Sequence, residues 1–274
     1  MVYKWHSRRC RFTIWSHSRA RLDSQLKSHL LGHYTDSVSK QNFRLAWECP
    51  HCDIEGQTHD KETGVQEFKD HLYSHVEGRI QSGVHIADDI GGSGNVLVKA
   101  PIESTGAVNA RAHFLSVGDI VVIVTNHPEA RLRLLHEKLN QWPERTVVIT
   151  TKRRPLEDPP DIDFSDVPVE VVKLDPTLGP TGLGETISRV IEEQHTPGKR
   201  IAFGFDILPE IIESFDVKRS YRFLSMLSAR LKEVNALAQF YINPRPQSSS
   251  VLNAIDDEFD LELTAENAVF IAQT

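Results

Sequence analysis

Metal-binding side chains are distributed so unevenly along this chain that they divide it. All three cysteines, Cys10, Cys49 and Cys52, and eight of the thirteen histidines lie within the first 75 residues of 274. A shift of 42 residues places Trp5, Cys10, Leu26, His29, Leu30 and His33 on Trp47, Cys52, Phe68, His71, Leu72 and His75. An internal repeat of that length, carrying thiols and imidazoles, requires two small modules of the same fold. In the second copy, Cys49-Pro50-His51-Cys52 is followed after eighteen residues by His71 and His75. This is the Cys2His2 order of ligands, with a longer central span than usual. Two cysteines on a tight knuckle aim two thiolates at one point, and histidines four apart share one helix face. Phe68, one turn before His71, is expected to pack beneath the metal.

The second module is therefore expected to bind zinc through Cys49, Cys52, His71 and His75. A module of roughly 40 residues buries too little surface to fold alone, so the ion would supply folding energy directly. The first copy keeps Cys10, His29 and His33, but Ser7 stands in the place of Cys49. A neutral hydroxyl is a poor zinc ligand, and His6 is the expected fourth donor, ahead of His17. Both modules are expected to be ββα-like fingers, spanning 1–42 and 43–80.

Charge follows the same division. Residues 1–45 carry a formal +7, residues 46–80 carry −5, and the remainder carries −9, within a total of −7. Arg8, Arg9, Arg11, Arg19 and Arg21 interleave with Trp5, Phe12 and Trp15, a composition suited to phosphate contacts and base stacking. The acidic second finger would repel DNA, whereas tandem groove readers keep every finger basic. The first finger is thus a candidate nucleic-acid contact, and both fingers are candidate protein-docking or dimer modules. Apolar runs stop short of the ~18 residues a membrane span needs. No apolar leader follows the N-terminal residues, so a cytoplasmic protein is expected.

Residues 81–94, ending in Gly91-Gly92-Ser93-Gly94, read as a linker. Beyond it, Val96–Ala100, Ile120–Thr125, Val147–Thr151, Val169–Leu174, Ile201–Phe205 and Ala238–Ile242 read as strands. Ala130–Asn140, Gly182–Gln194 and Ser220–Asn235 read as helices, with Thr181 as a cap of the second. Segments 261–263 and 269–271 suit a closing hairpin. The alternation predicts an α/β domain over 95–274, a mostly parallel sheet with helices on both faces.

Several segments carry a resemblance to a known family. They are Asn95-Val96-Leu97-Val98-Lys99-Ala100-Pro101, the run from Leu174 to Gly184, Phe203-Gly204-Phe205-Asp206-Ile207-Leu208, and Tyr221-Arg222-Phe223-Leu224. Over about residues 94–273 the chain resembles the RecA/KaiC-like ATPase fold, and more closely its degenerate haloarchaeal branch of uncharacterised, signalling-associated proteins. The resemblance places a phosphate loop after the first strand and a magnesium-holding aspartate at Asp206. A working loop needs Gly-x4-Gly-Lys-Ser/Thr. Here Pro101 replaces the first glycine, Ala107 the lysine and Val108 the hydroxyl, so only Gly106 survives. Thr125-Asn126-His127-Pro128 occupies the place of the acidic pair, leaving Glu129 offset. Gly106 and Asp206 are therefore expected to be vestiges of a nucleotide site, and hydrolysis is not expected. No Gly-x-Ser-x-Gly elbow or body thiol offers another nucleophile.

Together these readings imply a non-catalytic regulatory or signalling protein. Zinc fingers would dock on nucleic acid or a protein partner, and an inactive RecA-like body would form an interaction or homo-oligomer platform. The alternatives are an ATPase-like switch with an atypical phosphate loop and a DNA-binding transcription regulator.

Overall fold

The computed structural model describes residues 1–41, 44–139, 141–156, 162–243 and 249–273. The expected boundary between fingers at 42 and 43, and Asn140 at the end of an expected helix, lie outside them. The chain forms two compact units, Met1–Val84 and His85–Thr274.

In the first unit, β1 (Tyr3–His6) and β2 (Phe12–Ser16) form an antiparallel hairpin that leads into α1 (Arg19–His33). Ser18 starts α1 by accepting the Arg21 N–H, the capping that a short hydroxyl provides where the first helical amides lack partners. β3 (Val38–Gln41), β4 (Arg44–Glu48) and β5 (Glu55–Thr58) form a second antiparallel sheet, followed by α2 (Lys61–Ser74). Asp60 caps α2, its carboxylate taking the Thr63 N–H at 2.8 Å. Each helix buries one stripe on its own hairpin: Leu22, Leu26 and Leu30 in α1, and Gly64, Phe68 and Leu72 in α2. Trp5 and Ile14, paired across the first hairpin, lie on the face that receives the first stripe, and Leu45 and Trp47 receive the second. β6 (Gln81–Ser82) adds an antiparallel strand beside β1.

The two fingers are not independent beads. Tyr73 on α2 donates its hydroxyl to Asp23 on α1 at 2.6 Å and accepts from Arg19 at 2.8 Å. Lys27 pairs with Asp70 at 2.5 Å across the same helix pair. Part of the basic charge of the first finger is thus neutralised by the acidic second one.

The second unit is an α/β domain with a mostly parallel sheet, as the alternation predicts. Its elements are β7 (Gly94–Lys99), α3 (Thr105–Leu115), β8 (Ile120–Val124), α4 (Pro128–Lys138), β9 (Arg145–Thr150), β10 (Val169–Lys173), α5 (Pro180–Gln194), β11 (Ile201–Phe205), α6 (Leu208–Ser214), α7 (Val217–Glu233), β12 (Leu237–Ile242), α8 (Ser249–Ile255), β13 (Leu261–Glu266) and β14 (Val269–Gln273). Strand order within this unit is β10-β9-β8-β11-β12-β7-β13-β14. Every pair is parallel except the β13–β14 hairpin. Alternation along β8 divides the core between two faces. Val122 and Val124 join a large cluster with Leu183, Ile187, Phe223 and Leu227 from α5 and α7. Val121 and Ile123 join a smaller one with Leu115, Leu134 and Leu135 from α3 and α4.

One sequence expectation gains detail here and another changes. The expected linker, 81–94, contains the boundary between the two units after Val84, and two parts of it take up secondary structure. Residues 81–82 form β6, and Ile86–Ile90 make a short 3-10 turn with Ile86 and Ala87 buried. Its glycines serve backbone geometry, since Gly91 and Gly92 have φ of 73° and 86°, where a side chain is disfavoured. Secondly, α5 begins at Pro180 with Gly179 in the cap position, so Thr181 lies inside the helix and caps nothing. The proline supplies the preset φ that suits a first helical residue.

Candidate metal centres

The 42-residue repeat survives at the level of atoms. In the first hairpin the Ser7 N–H donates to the Phe12 carbonyl at 2.9 Å; in the second the Cys49 N–H donates to the Ile54 carbonyl at 3.0 Å. Those are the same two positions of the repeat. The bond closes each knuckle, and the helix that follows brings its paired histidines over it.

Cys49, Cys52, His71 and His75 converge so that their donor atoms lie within 4.8 Å of one another, a group that could hold a metal ion. His71 Nε2 lies 3.3 Å from Cys52 Sγ, and His75 Nε2 lies 3.4 Å from Cys49 Sγ and 3.6 Å from Cys52 Sγ. The two imidazoles meet edge to face at 88°, with Nε2 atoms 3.3 Å apart. Phe68 is fully buried beneath them, stacked on Trp47, whose ring in turn stacks on His71. That aromatic column fixes the imidazole plane, as the surroundings of a metal-binding histidine commonly do. Burial, then the charge of His75, lowers the His71 pKa, so the ring is neutral and able to act as a ligand near pH 7.

A second group, Cys10, His29 and His33, could also hold a metal ion. Cys10 Sγ is 3.4 Å from each Nε2, and the two imidazoles are 3.1 Å apart at 89°. Phe12 stacks on His29 with ring centres 3.7 Å apart. Burial, followed by the charge of His33, lowers the His29 pKa to about 4.

His6, expected as the fourth donor, is not in this group. It is exposed and its Nδ1 is paired with Thr13 Oγ1 at 2.8 Å. Strand alternation explains the difference, because β1 turns Trp5 inward and therefore His6 outward. The residue that does occupy the knuckle is Ser7, which is buried. Its Oγ accepts the backbone N–H of Arg9 at 3.2 Å and of Cys10 at 3.3 Å. Cys49 Sγ likewise accepts the His51 N–H, at 3.4 Å. The repeat alignment that matches Ser7 with Cys49 was the signal available in the sequence.

The five candidate arginines separate. Arg8, Arg9, Arg11 and Arg21 are exposed, with Arg9 lying over the Tyr34 ring at 4.7 Å. Arg19 is engaged by Asp23 at 2.8 Å and by Tyr73.

The body treats its motif residues differently. β8 and β11 lie side by side, and their onward connections run in opposite directions across the sheet, the arrangement that opens a crevice at strand ends in α/β domains. Asp206 sits there, directly after β11, and is 4% exposed. Arg111 Nε of α3 holds Oδ1 at 2.9 Å, while Arg131 Nε of α4 holds Oδ2. Burial would raise the carboxylate pKa, but the charges of Arg111 and Arg131 outweigh it and hold the value below the usual range. Arg111 also donates to the Ile102 carbonyl at 2.8 Å and lies 4.1 Å from the centre of the Tyr241 ring; Arg131 also pairs with Glu103 at 3.1 Å. Both carboxylate oxygens are thus committed to guanidinium groups. The pairing was hidden in the sequence because the partners lie 95 and 75 residues away, inside helices.

Gly106 is fixed by packing. A Cβ at that position would stand 2.3 Å from the Ala265 carbonyl oxygen, so the glycine allows α3 to approach β13. The preceding turn is closed by Ser104 N–H to the Pro101 carbonyl at 2.9 Å, and Ser104 Oγ caps α3 by accepting the Ala107 N–H. His127, at the start of α4, is exposed.

Mostly parallel α/β architecture, preceded by two Cys/His modules, thus defines the class of molecule. The model of DUF7504, a family of unknown function, matches residues 93–265, and the chain belongs to that family. No curated protein matches it. Solved structures similar to it include the protein studied as Project ID PH0250 from Pyrococcus horikoshii OT3, at 12% identity and a TM-score of 0.42, covering 64% of this chain and 83% of that one. Another is the uncharacterized protein PH0321 from Pyrococcus horikoshii in complex with an unknown peptide, at 12% identity and a TM-score of 0.43, covering 67% and 85%. Among the described residues no helix is long and apolar enough to cross a membrane.

Proposed function

We propose that the protein is a non-catalytic regulatory adaptor, with a zinc-stabilised twin-finger head that docks on a partner and a RecA/KaiC-like body that has lost its nucleotide site. The observation that carries this reading is the commitment of Asp206 to Arg111 and Arg131. A magnesium ion needs a free carboxylate oxygen, and here it would have to displace a buried guanidinium. Ala107 stands where the phosphate-binding lysine is required, and Glu103 brings negative charge to the same turn. The order of parts, a strand and turn leading to Gly106 and a later strand leading to Asp206, supports a RecA-like ancestry for the body.

Zinc suits the head. With Zn–S near 2.3 Å and Zn–N near 2.05 Å, a tetrahedral site has S···N edges of about 3.5 Å and N···N edges of about 3.3 Å. The second group has S···N separations of 3.3–3.6 Å and an N···N separation of 3.3 Å. A pair of thiolates with a pair of imidazoles is also the donor set that favours zinc among common ions. Cys49, Cys52, His71 and His75 would hold it, and its contribution is to tie knuckle and helix together.

Packing of α1 on α2 favours a protein partner for the head, since Arg19 and Lys27 are already held within it. Nucleic-acid contact is the second reading, supported by the exposed Arg8, Arg11 and Arg21; DNA affinity that persists after Arg8 and Arg11 are neutralised would remove that support. The adaptor reading is tested by calorimetric titration of the full chain with ATP and magnesium. No heat of binding is expected. ATP turnover that disappears in Asp206→Ala would overturn it.

A further inference from the structure

We infer that the first metal centre is built with an open coordination position, so that Cys10, His29 and His33 hold an ion whose fourth ligand comes from outside the chain and is oriented by the Ser7 hydroxyl. This rests on the zinc reading of the head and extends it to what the first site can take.

Among the described residues the chain offers three donors here, and the fourth corner falls at the knuckle position held by Ser7. A serine hydroxyl has two lone pairs and one O–H. Both lone pairs of Ser7 are used, one by the Arg9 N–H at 3.2 Å and one by the Cys10 N–H at 3.3 Å. None is left for a metal. The equivalent thiolate, Cys49, differs in kind, because three lone pairs let it accept backbone N–H groups and still bind an ion. Substituting oxygen for sulfur therefore preserves the fold of the knuckle while removing its ligand. What remains on Ser7 is its O–H, which is a donor, and Ser7 is 4% exposed, so that proton has no bulk water to satisfy it. A water, hydroxide or small anion on the ion is the acceptor that the arrangement supplies.

His6 does not close the gap, since its ring is outside the donor group and paired with Thr13. The imidazoles are nonetheless positioned as in the closed site, edge to face at 89° against 88°. Three protein ligands plus an exchangeable one is the arrangement of zinc sites that bind exogenous ligands, whereas four protein ligands mark structural sites. The two centres of the head would therefore differ in use, one holding the fold and one accepting a small anionic or neutral donor ligand.

The test uses the full chain loaded with Co2+, whose visible bands report coordination, and azide as the exogenous ligand. Two cobalt ions per chain are expected, with azide shifting the bands of one of them. Ser7→Cys is expected to abolish the azide shift and to tighten the first site by at least the roughly 10- to 100-fold that even an outer-shell change carries, read as slower loss of cobalt to a chelator. Two cobalt ions with no azide response in the unaltered chain would overturn the open position while leaving the zinc reading standing. A single bound cobalt ion, lost on Cys52→Ser, would instead show that the first group binds no metal, which overturns both the inference and its premise for that site.

Discussion

The head and the body both carry residues that look like the remains of a known site, yet the two regions have spent them differently. In the head the donor atoms of Cys49, Cys52, His71 and His75 face one another across 3.3–3.6 Å. In the body the carboxylate of Asp206 faces two arginines that take both its oxygens. A motif residue keeps its chemistry only when the surrounding fold leaves its lone pairs uncommitted. By that measure the head keeps donor groups that could hold a metal ion, and the body uses Asp206 as an internal brace.

Removal of metal separates the regions most strongly. Structural zinc in small modules contributes an apparent ~10–16 kcal/mol near neutral pH, more than a finger can recover from Phe68, Leu72 and their neighbours. A strong chelator is expected to unfold residues 1–84 while the body keeps its cooperative unfolding transition. Limited proteolysis with mass analysis reads this directly, as cleavage confined to the head. If head and body resist cleavage equally after the metal is gone, the ion is not what holds the fingers together.

Next in size is the brace itself. Asp206→Ala leaves Arg111 buried without its counter-charge and Arg131 with only the exposed Glu103, and loss of one partner from a buried ion cluster typically costs about 3–5 kcal/mol. The body's midpoint in urea should fall accordingly, with the head's metal content unchanged. A neutral effect on stability would mean that Asp206 is not bracing the helices, and would return it to the list of ligand-binding residues.

Much of this was legible in the sequence, and the reasons differ by region. Apolar runs five or six residues long announced β8, β9 and β11, and the stripe of Phe223, Leu224, Leu227 and Leu231 announced α7, because burial of one face imposes a period. The Cys/His repeat announced both metal groups for the same kind of reason: ligand spacing is local. α3 was not announced. Its sequence, Thr-Gly-Ala-Val-Asn-Ala-Arg-Ala-His-Phe-Leu, buries Arg111 and His113 along with its apolar residues, so no polar face marks it. The brace was invisible because it joins residues 75 and 95 positions apart, and helix arginines ordinarily read as surface charge. Ser7 reads correctly as a poor ligand, but its role in closing the knuckle was hidden, because acceptance of the Arg9 and Cys10 amides is a property of the folded turn.

Histidine gives the finest contrast between the regions. In the head His29, His33, His71 and His75 belong to groups that could hold a metal ion; in the body His85 is a neutral cap. Its Nδ1 accepts the Ala87 N–H at 3.1 Å, its ring stacks on His113 at 3.8 Å, and His113 Nε2 accepts the Ile86 N–H at 3.2 Å. Burial is the main cause lowering the His85 pKa below 6.5; Arg200 lowers it further, while its bond to the His113 carbonyl and the nearby Asp88 oppose the shift. The unfolded chain therefore takes up a proton first as pH falls. Stability contributed by the neutral ring is complete above about 6.5 and declines as pH drops through the lowered folded value. Asparagine caps a helical turn equally well and does not titrate. The body of His85→Asn is thus expected to lose less thermal stability between pH 7.5 and pH 5.5 than the unaltered chain, a smaller effect than loss of the Asp206 brace. Parallel losses in the two proteins would show that protonation of His85 is not what the folded body resists.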